Sequence, residues 1–214
     1  MKITKFGHAC VRIESDAQVL VIDPGVWTEQ ESVDGATAVL LTHQHPDHLS
    51  SEHLRATDAR IFTIDAVAEQ IADQAPDLVD RVTTITAGQN FDAGLPVTAV
   101  GELHAVIHPD FPRISNSGYV VTAGGTSLYH PGDALTPPGR EVQLLLVPVH
   151  APWSKTSEVV DFARTVGAPK TVAVHDGLLN DNGLGLVGDL VSGLLEGSGQ
   201  VYERVAPGQD IALP

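Results

Sequence analysis

Residues 43 to 48 read His-Gln-His-Pro-Asp-His, so four groups able to ligate a metal fall within six positions. The apolar run Ala38-Val39-Leu40-Leu41-Thr42 leads directly into them. A strand that delivers three imidazoles and a carboxylate into one loop crowds polar groups whose desolvation must be compensated. A divalent cation compensates them, because imidazole nitrogen and carboxylate oxygen both suit zinc, iron or manganese. The hexapeptide cannot complete a two-metal site alone. A fold that keeps it must bring further ligands from distant parts of the chain.

The rest of the sequence permits such a fold. Its 214 residues are 43% hydrophobic and 18% charged, a globular composition, and the reading is one domain over residues 1–214. A net charge of −15 without a Lys/Arg cluster opposes any broad contact with a phosphate backbone, which argues against nucleic acid as a partner. Cys10 is the only cysteine, which excludes intramolecular disulfides and cysteine-built zinc sites. No apolar run approaches the ~20 residues of a membrane span, and Met1 to His8 lack the apolar core of a signal peptide. The expectation is a cytoplasmic protein acting on a small molecule, either monomeric or a homo-oligomer.

Short alternating or apolar runs predict strands at Lys2 to Phe6, Cys10 to Glu14 and Gln18 to Ile22, with Asp23-Pro24-Gly25 breaking the third. After the histidine loop come a short helix from Ser50 or Ser51, a strand at Arg60 to Ile64 and a helix over Ala66 to Gln74. Further strands are expected at 82–86, 89–92, 97–104, 118–122 and 126–130. Val142 to Pro148 is almost continuously apolar, which implies burial on both faces. Helices at 157–166 and 186–195 flank a strand at 171–175. Two runs of strands, each followed by helix–strand alternation, indicate a pseudo-repeated α/β sandwich.

Three expected strands end in ligand-type residues. His104 closes 97–104, Asp133 follows 126–130 in Tyr-His-Pro-Gly-Asp, and His175 closes 171–175. Each alone is an ordinary turn former or cap; together with the loop they outline a site at the rim of a sandwich. His108 competes with His104, since four residues along a strand preserve the face.

With these residues assembled, the chain resembles the metallo-β-lactamase superfamily. His43-x-His45-x-Asp47-His48, His104, Gly132-Asp133 and His175 are similar to its five metal motifs, and Asp23 to its early buried aspartate. Gly7-His8-Ala9 and Pro148-Val149-His150-Ala151-Pro152-Trp153 bring it nearest to the small bacterial branch that includes ascorbate-6-phosphate lactonase-like hydrolases. The resemblance implies a four-layer αββα sandwich holding two divalent metal ions, zinc first, with manganese or iron as alternatives. His43, His45 and His104 would hold one metal, Asp47, His48 and His175 the other, and Asp133 would bridge them. A water or hydroxide would lie between the metals, with Asp47 as the catalytic proton carrier and Asp23 supporting a ligand histidine. The implied activity is hydrolysis of a small ester, lactone or phosphodiester. A mononuclear iron dioxygenase of the persulfide-oxidising type and a non-catalytic metal-stabilised binding module remain as alternatives. His8, His150 and Trp153 are expected near the pocket, His130 beneath the Asp133 loop, and His53 and Arg113 in solvent.

Overall fold

In the computed structural model, which describes residues 1–213, the chain builds two seven-stranded mixed sheets. In the first, β1 (Lys2–Lys5), β2 (Val11–Ser15) and β3 (Gln18–Ile22) form an antiparallel meander. Next come β4 (Ala38–Leu40), β5 (Arg60–Thr63) and β6 (Val82–Thr84), all parallel to β3. In the second, β7 (Asn90–Asp92), β8 (Pro96–Val100), β9 (Gly118–Ala123) and β10 (Thr126–His130) are antiparallel. There, β11 (Leu144–Pro148), β12 (Lys170–Val174) and β13 (Val201–Glu203) continue in parallel. The last strand, β14 (Gln209–Asp210), returns to pair with β1. The two sheets thus repeat one plan, as the sequence pattern predicts.

Side-chain alternation builds the layers. On β11, Leu144 and Leu146 enter the core between the sheets, while Leu145 and Val147 enter a second core. That second core lies under α3 (Thr156–Val166) and α4 (Asp181–Glu196). On the other side, Leu54 of α1 (Ser51–Arg55) and Val67 and Ile71 of α2 (Asp65–Gln74) join the central cluster. This two-sided burial explains the continuous apolar run at 142–148. Tyr119 stitches the layers, donating its hydroxyl to the Leu41 carbonyl of the opposite sheet at 2.8 Å.

Strand direction positions the site. Pairing makes β1, β3 and β4 run the same way in one sheet, and β8, β10, β11 and β12 the same way in the other. The loops that leave these strands carry His8, Asp23, the 43–48 hexapeptide, His104, Asp133, Trp153 and His175. Carboxyl ends of strands are where open α/β sheets place their ligands.

Three expectations need correction. Strand β8 ends at Val100, not at 104, because Gly101 turns the backbone to φ 76°; a lone bridge between Leu103 and Ser115 then carries the chain to His104. Helix α4 begins at Asp181, five residues before the predicted start, with the Asn180 side chain capping the Gly183 N–H. His53 is buried at 6% exposure instead of facing solvent. Among the described residues no helix is long and apolar enough to cross a membrane.

Candidate metal centre

The loop after β4 is held from below by Asp23, which is fully buried. Its Oδ1 accepts the Thr42 N–H at 2.8 Å, and its Oδ2 accepts both the Thr42 hydroxyl and His48 Nδ1 at 2.7 Å. Gly25 lets the backbone of the Asp23 loop lie against that of Asp47, where a Cβ would overlap the Asp47 carbonyl. Gly132, at φ 62°, performs the same service below Asp133, its Cα facing Thr42 and Asn116. Three of the four non-glycine residues with left-handed backbone are His8, Asp23 and His175. Such conformations are costly outside glycine and persist where the surroundings over-determine them.

Four of the histidines have their tautomer set by an outer nitrogen. Thr42 gives its hydroxyl proton to Asp23, so its oxygen accepts from His43 Nδ1 at 3.0 Å. His48 Nδ1 donates to Asp23, His104 Nδ1 to the Ala105 carbonyl at 2.7 Å, and His175 Nδ1 to the His150 carbonyl at 2.6 Å. Four Nε2 lone pairs therefore point inward, the arrangement in which outer hydrogen bonds orient metal-binding imidazoles. The inner atoms are buried and face one another without a well-aligned hydrogen bond: His48, His104 and His175 Nε2 and Asp133 Oδ1 find no other partner. Unpaired buried polar atoms are expensive, and four converging at one place call for a ligand.

Spacing tests what that ligand is. Two clusters emerge, His43, His45, His104 and Asp133, and His8, Asp47, His48 and His175, with ligand atoms in each within 4.8 Å of one another. Tetrahedral zinc with bonds of about 2.0–2.2 Å separates its ligand atoms by roughly 3.3 Å. His43 Nε2 and His45 Nδ1 are 3.1 Å apart, and His104 Nε2 and Asp133 Oδ2 3.3 Å. In the second cluster His175 Nε2 lies 3.4 Å from Asp47 Oδ2. Asp133 reaches both groups, with Oδ1 3.1 Å from His48 Nε2 and Oδ2 3.2 Å from His175 Nε2. All seven residues expected as ligands meet here, in two clusters that each could hold a divalent cation.

Charge points the same way. Burial alone would raise the Asp133 and Asp47 carboxyls, yet the surrounding imidazoles hold both below the usual carboxylate range. Burial likewise opposes charge on His48 and His175, but Asp133, with Asp23 and Asp47 respectively, lifts His48 well above its ordinary value and His175 to about 9. Burial wins at His43, which is driven well below its ordinary value, with charge on His48 adding to the effect. Without a cation, the carboxylates thus recruit protons onto the very imidazoles that a metal would need.

His8 stands apart from the other seven. The Gly177 N–H donates to its Nδ1 at 3.2 Å, so a neutral His8 carries its proton on Nε2 and donates to Asp47 Oδ2 at 3.1 Å. It holds Asp47 and does not offer a lone pair. His108 is exposed beside Asp110 and away from the cluster, which settles the competition for His104. His130 packs beneath the Asp133 loop, accepting the Gly132 N–H on Nδ1 at 3.0 Å. Sequence reasoning placed His150 and Trp153 near the pocket and Arg113 in solvent, without the contacts that they make. Trp153 Nε1 donates to Asp133 Oδ2 at 2.9 Å, Arg113 Nε donates to the His104 carbonyl, and His150 contributes its carbonyl and not its ring. A buried Lys5–Asp176 pair at 2.9 Å, extended by Arg204 at 2.8 Å, pins the residue after His175; no motif announced it.

The four-layer α/β sandwich gathers two imidazole–carboxylate clusters, each able to hold a metal ion, at its strand ends. The sequence matches the family described as Beta-lactamase superfamily domain over residues 2–175, and the chain belongs to that superfamily. Protein Rv0786c of Mycobacterium tuberculosis is 38% identical over 192 residues, covering 87% of this chain and 89% of that protein. A UPF0173 metal-dependent hydrolase of Chelativorans sp. is 30% identical over 143 residues, or 62% of this chain and 59% of that protein. The structure of Igni18, described as a metallo hydrolase from the archaeon Ignicoccus hospitalis, has the same fold. It superposes with a TM-score of 0.76 over 98% of this chain and 97% of that one, at 18% identity.

Proposed function

We propose that the protein is a dinuclear hydrolase of small esters, lactones or phosphodiesters, using zinc or manganese. Its ligands are His43, His45 and His104 on one side and Asp47, His48 and His175 on the other, with Asp133 shared. The observation that carries this reading is that the Nε2 atoms of His48, His104 and His175 turn inward without another partner while their Nδ1 atoms are all tied down. When bound, divalent cations make water nucleophilic near neutral pH and draw off charge from the oxygen of the group under attack. Asp47 borders the cleft with 16% of its side chain exposed, and His8 fixes its Oδ2 from behind. It accepts the proton that the attacking water sheds and returns it to the departing oxygen. Trp153 excludes solvent on the far wall and holds Asp133 Oδ2 in place. A mononuclear iron oxygenase would leave one of the two clusters without a purpose.

The test is to strip the protein with chelator, reload it separately with zinc, manganese and ferrous iron, and assay ester, lactone, phosphodiester and persulfide substrates. Hydrolysis restored by zinc or manganese, and lowered at least 100-fold by Asp47→Asn, is the expected result. Turnover of persulfide with iron alone, or full activity in Asp47→Asn, overturns the assignment.

A further inference from the structure

Five large apolar side chains that the fold leaves exposed ring the mouth of the metal cleft. They are Trp27 (48%), Val106 (53%), Ile107 (43%), Phe111 (65%) and Leu178 (47%). They come from three separate loops, so no single helix or strand pattern explains them. Exposed apolar side chains gathered round a cleft, instead of scattered, mark a binding surface. On the His104 side Val106, Ile107 and Phe111 wall a cavity of about 370 Å³ floored by His45 and His104. That volume suits a small organic ligand. His45 and Ile107 also line the smaller cleft of about 200 Å³ that contains Asp47, Asp133 and His175, so the two adjoin.

Charge narrows the class. Arg113 is the cation lining the larger cavity, and its Nε is committed to the His104 carbonyl. The chain as a whole carries −15. In this cavity, away from the metal-binding atoms, a charged substituent would find only the rest of that guanidinium to pair with, whereas an alkyl arm would find Val106, Ile107, Phe111 and Ile114.

We infer that the site takes carboxylic esters or lactones bearing an apolar acyl arm, seated in the cavity between His104 and Ile114. At ~30 Å³ per methylene-sized group, with packing gaps, the cavity holds roughly eight carbons. In the reaction, water adds its oxygen to the acyl carbon and the acyl C–O bond breaks. One water proton ends on the departing oxygen, leaving a carboxylic acid and an alcohol. This inference rests on the hydrolase reading above and narrows it.

The experiment measures kcat/KM of the metal-loaded protein on p-nitrophenyl acetate, butyrate, hexanoate and octanoate, and on bis(p-nitrophenyl) phosphate. A fully buried methylene is worth about fourfold, and these half-exposed walls about twofold, so hexanoate exceeds acetate about 15-fold. Phe111→Ala and Ile107→Ala each lower the hexanoate-to-acetate ratio at least threefold. An active enzyme with a flat or falling series, or one that prefers the phosphodiester, overturns the inference and leaves the hydrolase reading standing. Absence of turnover on every substrate instead removes the hydrolase reading. Binding of alkyl hydroxamates then decides on the cavity, followed through Trp27 and Trp153, which are the chain's two tryptophans and both line the cleft. Dissociation constants that tighten from acetohydroxamate to hexanohydroxamate uphold the apolar cavity, and a flat series overturns it.

Discussion

Replacing Asp23 with Asn keeps the volume of the residue and removes its charge, and the structure lets the consequence be worked out. The parent carboxylate accepts three donors, the Thr42 N–H, the Thr42 hydroxyl and His48 Nδ1, at a site with no solvent exposure. An amide offers one oxygen, so whichever way it turns, at least one buried donor meets an N–H. Hydrogen bonds to a charged group contribute about 1.5–3 kcal/mol each, and a buried unpaired donor adds its own desolvation. The loss is about 3–5 kcal/mol. For a chain of this length that lowers Tm by about 10 °C, measured calorimetrically on chelator-stripped protein. Loss of an outer support of this kind also weakens metal binding about 10–100-fold, read by competition with a chromophoric chelator. A Tm within 2 °C of the parent together with zinc affinity within threefold would refute the claim that Asp23 orients His48.

Other outcomes follow from the same geometry. His8→Leu removes the donor to Asp47 but no ligand, so elemental analysis should still find two metals per chain while kcat falls about tenfold; loss of one metal makes His8 a ligand instead. Zinc affinity should rise with pH, because His175 keeps its proton up to about 9 in the metal-free protein and the cation must displace it. Below that value the expected slope is about tenfold per pH unit for each proton released, and a pH-independent affinity between 6 and 8 contradicts it. Gly132→Ala puts a Cβ against Asn116 and Thr42 at φ 62°, and should cost at least about 2 kcal/mol in urea unfolding; parental stability would mean that the Asp133 loop tolerates a side chain.

How much of this was legible in the sequence depended on how local each signal was. The 43–48 hexapeptide needed only six adjacent letters. Asp133 and His175 were findable because each follows a strand within three residues, and strand ends deliver side chains to a rim. His104 was reached for a partly mistaken reason, since its strand stops at Gly101 and a single bridge with Ser115 places it. His53 was misjudged because one helical turn of five residues shows no periodicity from which to read its buried face. The backbone carbonyls of Ala105 and His150 fix two imidazoles, yet a carbonyl is common to every residue and leaves no mark in a sequence. The Lys5–Asp176 pair joins positions 171 residues apart, and only the finished fold brings them together.

The account depends most on two cations being held side by side by this one set of residues. Crystals of zinc-loaded protein, measured at the zinc absorption edge, test that directly. Two anomalous peaks about 3.5–4 Å apart are expected. One should lie among His43, His45 and His104, the other among Asp47, His48 and His175, with Asp133 touching both. A single peak, or peaks bound elsewhere on the chain, would contradict it.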